Sequence, residues 1–279
     1  MRVKVLASSP ESMRLLIEEA EPAYANALRR VLVADVPKMA IEDVEFHLGP
    51  IRAEDGKEYE SVSPLFDEMI AHRLGLVPIP TDLGLYNRRE DCPNCHGEGC
   101  PNCTIIYSVN KRGPGLVTSA DLEPIGDAKL RPADQKIPIV KLGDGQAMLV
   151  YATAVLGSGR DHAKWQATHG VGYRYYPILK AGSKSLDPLD PAIPFCESHM
   201  QSTATEEEET IELASDCKTC KQFMDQYKVD SVKAGNDPTR IVLEFETDGS
   251  LTTKSVLVAA LDILSKRFSE LATQASALA

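Results

Sequence analysis

Residues 26–44 read NALRRVLVADVPKMAIEDV and predict a helix that leads through a proline into a strand. The helix is expected to begin at Pro22, because proline is tolerated in a first turn where its missing N–H is not needed. Tyr24, Leu28 and Val31 recur at the i, i+4, i+7 spacing of one helix face. The stretch therefore predicts an amphipathic helix followed by an extended segment.

On both sides of this helix the apolar residues change to the two-residue period of strands. Residues 13–19 (MRLLIEE) precede it, and residues 40–48 (AIEDVEFHL) follow once Pro37 has ended the helix. Further strands are predicted over 104–109, 147–155, 173–179 and 241–246, with a short helix over 63–75. The predicted fold class is α+β.

The composition is that of a globular protein of 279 residues, with 43% hydrophobic and 25% charged residues. Its 30 Lys and Arg against 41 Asp and Glu give a net charge of −11, which argues against binding nucleic acid through bulk charge. No apolar run approaches the roughly 20 residues of a membrane span. Residues 1–14 also lack the apolar core of a signal peptide. We expect a soluble, cytoplasmic protein that is not a membrane protein.

A heptad stripe dominates the C-terminal helix predicted after the Asp248-Gly249 turn. Its apolar residues recur at alternating steps of four and three: Leu257, Leu261, Leu264, Phe268, Leu271, Ala275 and Leu278. This spacing predicts either a helix that packs on its own sheet or one that also packs against a partner chain. One stripe can serve both purposes.

Four cysteines predict a metal site between residues 92 and 103. Two Cys-x-x-Cys pairs, Cys92 with Cys95 and Cys100 with Cys103, can place four thiolates at the corners of a tetrahedron. Thiolate softness and that geometry favour Zn²⁺ over an iron–sulfur cluster or no metal. A four-sulfur shell has no open position, so the ion would be structural. His96 is expected to be a bystander.

The later cysteines Cys196, Cys217 and Cys220 form a weaker pattern. Three thiolates could hold part of an iron–sulfur cluster, which normally takes four ligands. A further Cys-x-x spacing falls on Phe223, which cannot ligate iron. An incomplete cluster site and a set of reduced thiols in a small module both remain open.

Motifs of catalysis are missing from the sequence. It contains no phosphate-binding Gly-x-x-x-x-Gly-Lys loop, no Gly-x-Gly-x-x-Gly before a helix and no His-Glu-x-x-His. No Asp-x-Asp cluster offers the paired carboxylates of a two-metal site. We therefore predict no catalytic residues in this chain.

The stretch 26–44 closely resembles the signature of the α-like subunits of RNA polymerase. The resemblance is closest to the archaeal D-type members of that family, which are similar to the third subunit of eukaryotic RNA polymerase II and to bacterial α. Other stretches agree in the same order: 71–80 (AHRLGLVPIP), the 92–103 loop, 162–165 (HAKW), 173–177 (YRYYP) and 244–251 (EFETDGSL). The resemblance therefore runs along nearly the whole chain.

The resemblance implies a two-part dimerisation domain, here 1–42 and 237–279, with a β-rich insert domain between its parts. The insert would span 43–182 and carry the zinc loop, and a small ferredoxin-like module would span 183–236. Family members with a cluster carry Cys-x-x-Cys-x-x-Cys plus a distant cysteine, so Phe223 departs from that pattern.

The same resemblance implies a scaffold subunit of a nucleotidyltransferase complex, without direct sequence-specific nucleic-acid binding. Its partner would be the small α-like subunit L, followed by subunits N and P and the large catalytic subunits. Arg29 and Arg30 sit where family members present cations to other subunits, although a solvated helix face is the alternative. Residues 162–165 could contact a neighbouring subunit or pin a loop.

Two other hypotheses remain open from the sequence. A stand-alone zinc-binding, chaperone-like module is one, because 92–99 (CPNCHGEG) echoes a Cys-x-x-Cys-x-Gly-x-Gly repeat. That repeat should recur within one chain, and it occurs once. A redox protein using Cys196, Cys217 and Cys220 is the other, but it lacks a fourth ligand.

Overall fold

The structure, a computed structural model, describes residues 1–52, 56–182, 201–204, 208–212, 217–219, 222 and 232–277. Its elements are, in chain order, β1 (Arg2–Ser8), β2 (Ser12–Glu18), α1 (Pro22–Ala34), β3 (Pro37–Phe46), β4 (Pro50–Arg52), β5 (Glu58–Glu60), α2 (Asp67–Gly75), β6 (Thr104–Arg112), β7 (Gly115–Thr118), β8 (Glu123–Pro124), β9 (Pro138–Leu142), β10 (Ala147–Ser158), β11 (Thr168–Gly182), β12 (Gln201–Ala204), β13 (Glu208–Glu212), β14 (Val232–Thr247) and α3 (Thr253–Ser276). This mixture of helices and sheets agrees with the predicted α+β class.

The chain packs into two compact units, and each unit is assembled from several stretches of sequence. The first consists of Met1–Ala7, Arg14–Ala27 and Gly172–Glu244, and the second of Ser8–Met13, Leu28–Val171 and Phe245–Ala279. The domain boundaries derived from the resemblance stay predictions.

The first unit is built on a six-stranded sheet in the order β1-β2-β14-β11-β13-β12. β1 is an edge strand with all seven residues exposed, whereas residues 241–243 of β14 are buried. Glu244 of β14 lies between Arg14 of β2, at 3.2 Å, and Arg174 of β11, at 2.7 Å. Burial of the Glu244 carboxyl opposes its ionisation, but these cross-strand ion pairs hold its pKa below the usual range.

The second unit is built on the antiparallel sheet β3-β10-β6-β8, with the small ribbons β4–β5 and β7–β9. Alternate residues of β6, namely Ile105, Tyr107 and Val109, are buried on the core side of this sheet. Ile70 and Leu74 of α2 belong to the same apolar core. The sheet thus provides a rigid frame for the loop that precedes β6.

Several predicted boundaries differ from the structure. The strands β11 and β14 begin at Thr168 and Val232 rather than at residues 173 and 241, and two other elements also begin elsewhere. The short helix begins at Asp67 rather than at Ser63, because Ser63 Oγ donates to the carbonyl of Leu65 at 2.6 Å and Phe66 is extended. The strand after α1 begins at Pro37 rather than at residue 40. Proline is tolerated as the first residue of a strand, where its missing N–H costs no ladder bond.

The 162–165 segment pins its own loop to the sheet. Trp165 lies in a 3-10 turn and is only 9% exposed. Its Nε1–H donates to the carbonyl of Val155 at 3.1 Å, and Lys164 Nζ lies 4.4 Å from the ring centroid. The structure therefore supports the loop-pinning interpretation of this segment.

A methyl group at Gly157 would overlap the indole, since it would lie 2.8 Å from Trp165 Cγ and closer still to other ring atoms. We expect Gly157→Ala to lower the free energy of unfolding by about 1–3 kcal/mol through overpacking. Trp165 is the only tryptophan in the chain, so its fluorescence should shift to the red. Gly115→Ala is the control, because nothing lies within 4 Å of that position. Unchanged fluorescence and stability in Gly157→Ala would contradict the packing described.

Candidate metal centre and partner surface

Cys92, Cys95, Cys100 and Cys103 come together in the loop that ends where β6 begins, with all their Sγ atoms within 4.8 Å of one another. The sulfur–sulfur distances are 3.7 Å for Cys92–Cys100, 3.5 Å for Cys95–Cys103 and 3.8 Å for Cys100–Cys103. Four thiolates about 2.3 Å from a central Zn²⁺ would lie about 3.8 Å apart in a tetrahedron. The four sulfurs thus fit one tetrahedral metal ion.

The backbone of the loop is shaped to aim these sulfurs inward. His96 and Gly99 have left-handed φ angles of 49° and 104°, which turn the chain between the two cysteine pairs. The N–H of Gly99 donates to Cys95 Sγ and that of Cys100 to Cys103 Sγ, each at 3.3 Å. Such bonds favour the thiolate form that binds metal. His96 occupies a turn position and is not a member of the ligating group.

The thiols of the loop differ strongly in acidity. Burial opposes ionisation of Cys95, but N–H donors of Gly99 and Gly97 bring the pKa of Cys95 down to about 6. Burial raises the pKa of Cys103 to about 12. A metal bound to all four sulfurs must displace the remaining protons, so we expect metal affinity to fall as the pH falls.

The second predicted cysteine site is only partly visible. Cys196 and Cys220 lie outside the described residues, as does Phe223. Cys217 is described and is half-buried. Within the described part of the chain, nothing supports an iron–sulfur cluster.

The helix α3 divides its apolar residues between two adjacent faces. Thr252 caps the helix by accepting the N–H of Ser255 at 3.2 Å, and Val256 and Ala260 are buried. The heptad stripe is different. Its members Leu257 and Leu264 are half-buried, whereas Leu261, Phe268 and Leu271 are 48%, 55% and 60% exposed. The residues that pack α3 onto this chain are therefore largely not the residues of the stripe.

The helix α1 presents fewer surface residues than its spacing predicts. Leu28 and Val31 are buried by this chain itself, although they share a predicted face with Tyr24. Tyr24 and Arg30 are exposed, and Arg29 is half-buried. A role of these residues in partner binding stays a prediction, and the structure leaves Tyr24 and Arg30 as its accessible members.

Asp35, just after α1, forms ion pairs with Arg267 of α3 and with Arg160. No sequence motif indicated this role. Its side chain is 6% exposed and accepts hydrogen bonds from Arg160 Nη2 at 2.6 Å and Arg267 Nη1 at 2.7 Å. The hydrogen bond from Arg267 holds the pKa of Asp35 below its usual range, while burial works in the opposite direction. Because Arg267 belongs to α3, this carboxylate fixes the helix to the end of α1.

We expect Asp35→Asn to lower the free energy of unfolding by about 1–2 kcal/mol at neutral pH, because an amide cannot accept two charge-assisted hydrogen bonds equally well. The folded-state pKa of Asp35 lies below the unfolded one, so its stabilisation is present above the unfolded pKa. That stabilisation is lost as the pH falls through the folded pKa. Denaturant unfolding from about pH 7 to pH 3 should therefore show the two proteins converging. A constant difference would contradict this role.

Comparison with known families defines the class of protein. Residues 51–173 match the family model described as the RNA polymerase Rpb3/RpoA insert domain. That range contains the four-cysteine loop and most of the sheet β3-β10-β6-β8. Residues 51–173, including the four-cysteine loop, are thus similar to the insert domain of α-like polymerase subunits.

Whole-chain relatives make the assignment more specific. DNA-directed RNA polymerase subunit Rpo3 of Thermoplasma volcanium is 44% identical over 268 residues, which cover 96% of this chain and 97% of the relative. The same subunit of Picrophilus torridus is 45% identical over 93% of this chain and 94% of its own length. That of Methanosarcina acetivorans is 34% identical over 97% of each chain. The chain belongs to the Rpo3 family of DNA-directed RNA polymerase subunits, which confirms the predicted relationship.

Proposed function

We propose that this chain is the non-catalytic assembly subunit of an archaeal DNA-dependent RNA polymerase. The complex transfers nucleotides, and this chain contributes a scaffold. In the proposal it forms a heterodimer with subunit L, and the pair then organises subunits N and P and the large catalytic subunits. The names of the relatives support the polymerase assignment, and the surface of α3 supports dimerisation.

The exposed stripe of α3 is the observation that carries the proposal. Leu261, Phe268 and Leu271 are about half exposed or more and follow heptad spacing along one face. A long apolar stripe that its own chain does not cover indicates packing against another helix. A small subunit with an apolar helix of its own, such as L, provides a suitable partner.

In the proposal, residues of α1 provide partner contacts in addition to those of the α3 stripe. Arg30 is exposed, and its guanidinium suits bidentate pairing with a partner carboxylate. Tyr24 and Arg29 precede it on the same helix. We assign these three residues to contacts with other polymerase subunits.

The proposed metal is a structural Zn²⁺ held by Cys92, Cys95, Cys100 and Cys103. The near-tetrahedral placement of the sulfurs and the N–H···S bonds support this choice. Bound zinc would supply a cross-link within the loop and no reactive position. An iron–sulfur cluster on Cys196, Cys217 and Cys220 stays a hypothesis outside this proposal.

The stand-alone chaperone-like alternative is not favoured. Relatives match this chain over nearly its whole length as polymerase subunits, and the CPNCHGEG segment occurs once. The redox alternative lacks support among the residues whose placement is described. Helices in the described ranges are either too short or too polar to span a bilayer. We propose a cytoplasmic location on the basis of the polymerase assignment.

Co-expression with subunit L, followed by anaerobic purification, tests the proposal. We expect a stable one-to-one heterodimer that contains one zinc per copy of this chain, and poor solubility or self-association without L. Light scattering gives the stoichiometry, and elemental analysis counts zinc and iron. A well-folded monomer that ignores L would refute the scaffold role. About three or four irons per chain would instead indicate a cluster at the later cysteines.

A further inference from the structure

We propose that Arg89 is a positioning residue for the metal centre, which it serves by holding the four-cysteine loop in its binding shape. This role rests on the metal site proposed above. Arg89 lies three residues before Cys92 and is not itself a ligand. Its guanidinium connects the middle of the loop to the sheet.

The first contacts are with the connection between the two Cys-x-x-Cys pairs. Arg89 Nε donates to the carbonyl of Gly97 at 3.0 Å, and Nη2 donates to the carbonyl of Glu98 at 3.1 Å. Both carbonyls belong to the short segment that must turn back so that Cys95 and Cys100 face the same point. A planar guanidinium holds two neighbouring carbonyls with donors on two nitrogens in a fixed fork, whereas an ammonium offers rotatable donors on one nitrogen.

Arg89 also lies close to two other parts of the loop, at Gly99 and at Cys92. A methyl group placed on Gly99 would lie 3.7 Å from both Nε and Nη2 of Arg89, so the guanidinium lies beside the Gly99 turn. The backbone carbonyl of Arg89 accepts the N–H of Cys92 at 3.4 Å. One residue therefore contacts the start of the loop and its central turn.

The remaining guanidinium nitrogen ties this assembly to the sheet. Arg89 Nη1 lies 3.4 Å from Asp43 Oδ2, and Asp43 is paired with Thr153 in the β3–β10 ladder. Both side chains are partly exposed, so the ion pair itself contributes little. Its effect is to fix the direction of the guanidinium, and the two carbonyl bonds then fix the loop.

Arg88, the residue next to Arg89, provides a matched control for the test of Arg89. The side chains of Arg88 and Arg89 are 41% and 39% exposed, but Arg88 pairs with Asp161 at 3.6 Å rather than with the loop carbonyls. Arg88→Ala thus removes the same side chain from the adjacent position. The measurement is the rate of zinc release from the full-length chain, co-purified with subunit L, to a chelating dye.

We expect Arg89→Ala to release zinc about tenfold faster than the wild type, because two hydrogen bonds that order the loop are lost. Arg89→Lys should give an intermediate rate, and Arg88→Ala the wild-type rate. The unfolding midpoint of the metal-free protein should be the same in Arg89→Ala and Arg88→Ala. That last readout separates a positioning role from general stabilisation.

Equal release rates for Arg89→Ala, Arg88→Ala and wild type would overturn the role of Arg89. So would faster release that accompanies a lowered midpoint of the metal-free Arg89→Ala protein. A wild-type chain without metal would refute the zinc site itself, and this is seen before any variant is compared. Failure of the two proposals is therefore distinguishable.

Discussion

The Leu261→Asp variant is expected to lose the one-to-one complex with subunit L. Leu261 is 48% exposed on this chain, so aspartate there should leave the fold intact. At the proposed seam the carboxylate would be buried without a partner, which should raise the Kd by about 100-fold or more. Leu264→Asp should act in the same direction, but Leu264 is half-buried, so its own chain would also be destabilised. Titration with subunit L and light scattering provide the measurement.

Two positions near the end of α3 provide the control for this prediction. Leu271 and Thr273 are both exposed. They are two residues apart, so their side chains point in directions about 160° apart around the helix. Leu271→Asp should weaken the complex as Leu261→Asp does, whereas Thr273→Asp should bind L normally. Wild-type affinity in both leucine variants would show that the stripe is not the partner surface.

Cys92→Ser and Cys103→Ser are each expected to reduce the zinc content from one ion per chain to near zero. Both thiols are buried within the ligand cluster, and a serine hydroxyl is a poor ligand for this soft, four-sulfur type of site. The 90–105 loop should loosen, which hydrogen exchange of its amides would detect. The heterodimer itself should survive, because the stripe lies on α3.

Cys217→Ser is the matched control for the metal prediction, since Cys217 is described and lies outside the four-cysteine group. It should retain one zinc per chain. Normal zinc content in both loop variants would refute the site. Loss of dimerisation in Cys92→Ser would place the loop closer to the partner than the proposal does.

Much of the fold could be predicted because its signals are local. The strand periodicity of 13–19 and 104–109 and the proline at the start of α1 each depend on neighbours in sequence, and each element forms. The four-cysteine loop was equally accessible, since the spacing of its ligands is itself the signal. The heptad stripe was also visible in the sequence. Its spacing could not show, however, that Val256 and Ala260, rather than the stripe residues, would be the buried residues of α3.

The contacts that the sequence did not reveal join residues far apart along the chain. Asp35 meets Arg160 and Arg267, which lie 125 and 232 positions away. Arg89 meets Asp43 across 46 positions. Nothing about an isolated arginine or aspartate signals such a partner, because the pairing is created by the packing of the sheet. Leu28 and Val31 are likewise buried by the packing of parts of the chain that lie far apart in sequence.

The order of strands in the six-stranded sheet has a consequence for synthesis on the ribosome. β2 lies beside β14, yet the whole insert region is translated between them. At about 5–20 residues per second, β2 waits roughly 10–40 s for that neighbour, and such non-local pairing forms slowly. The residues of α3 emerge later still. In the proposed function, the stripe of α3 therefore becomes available to a partner only after most of the sheet strands have been synthesised.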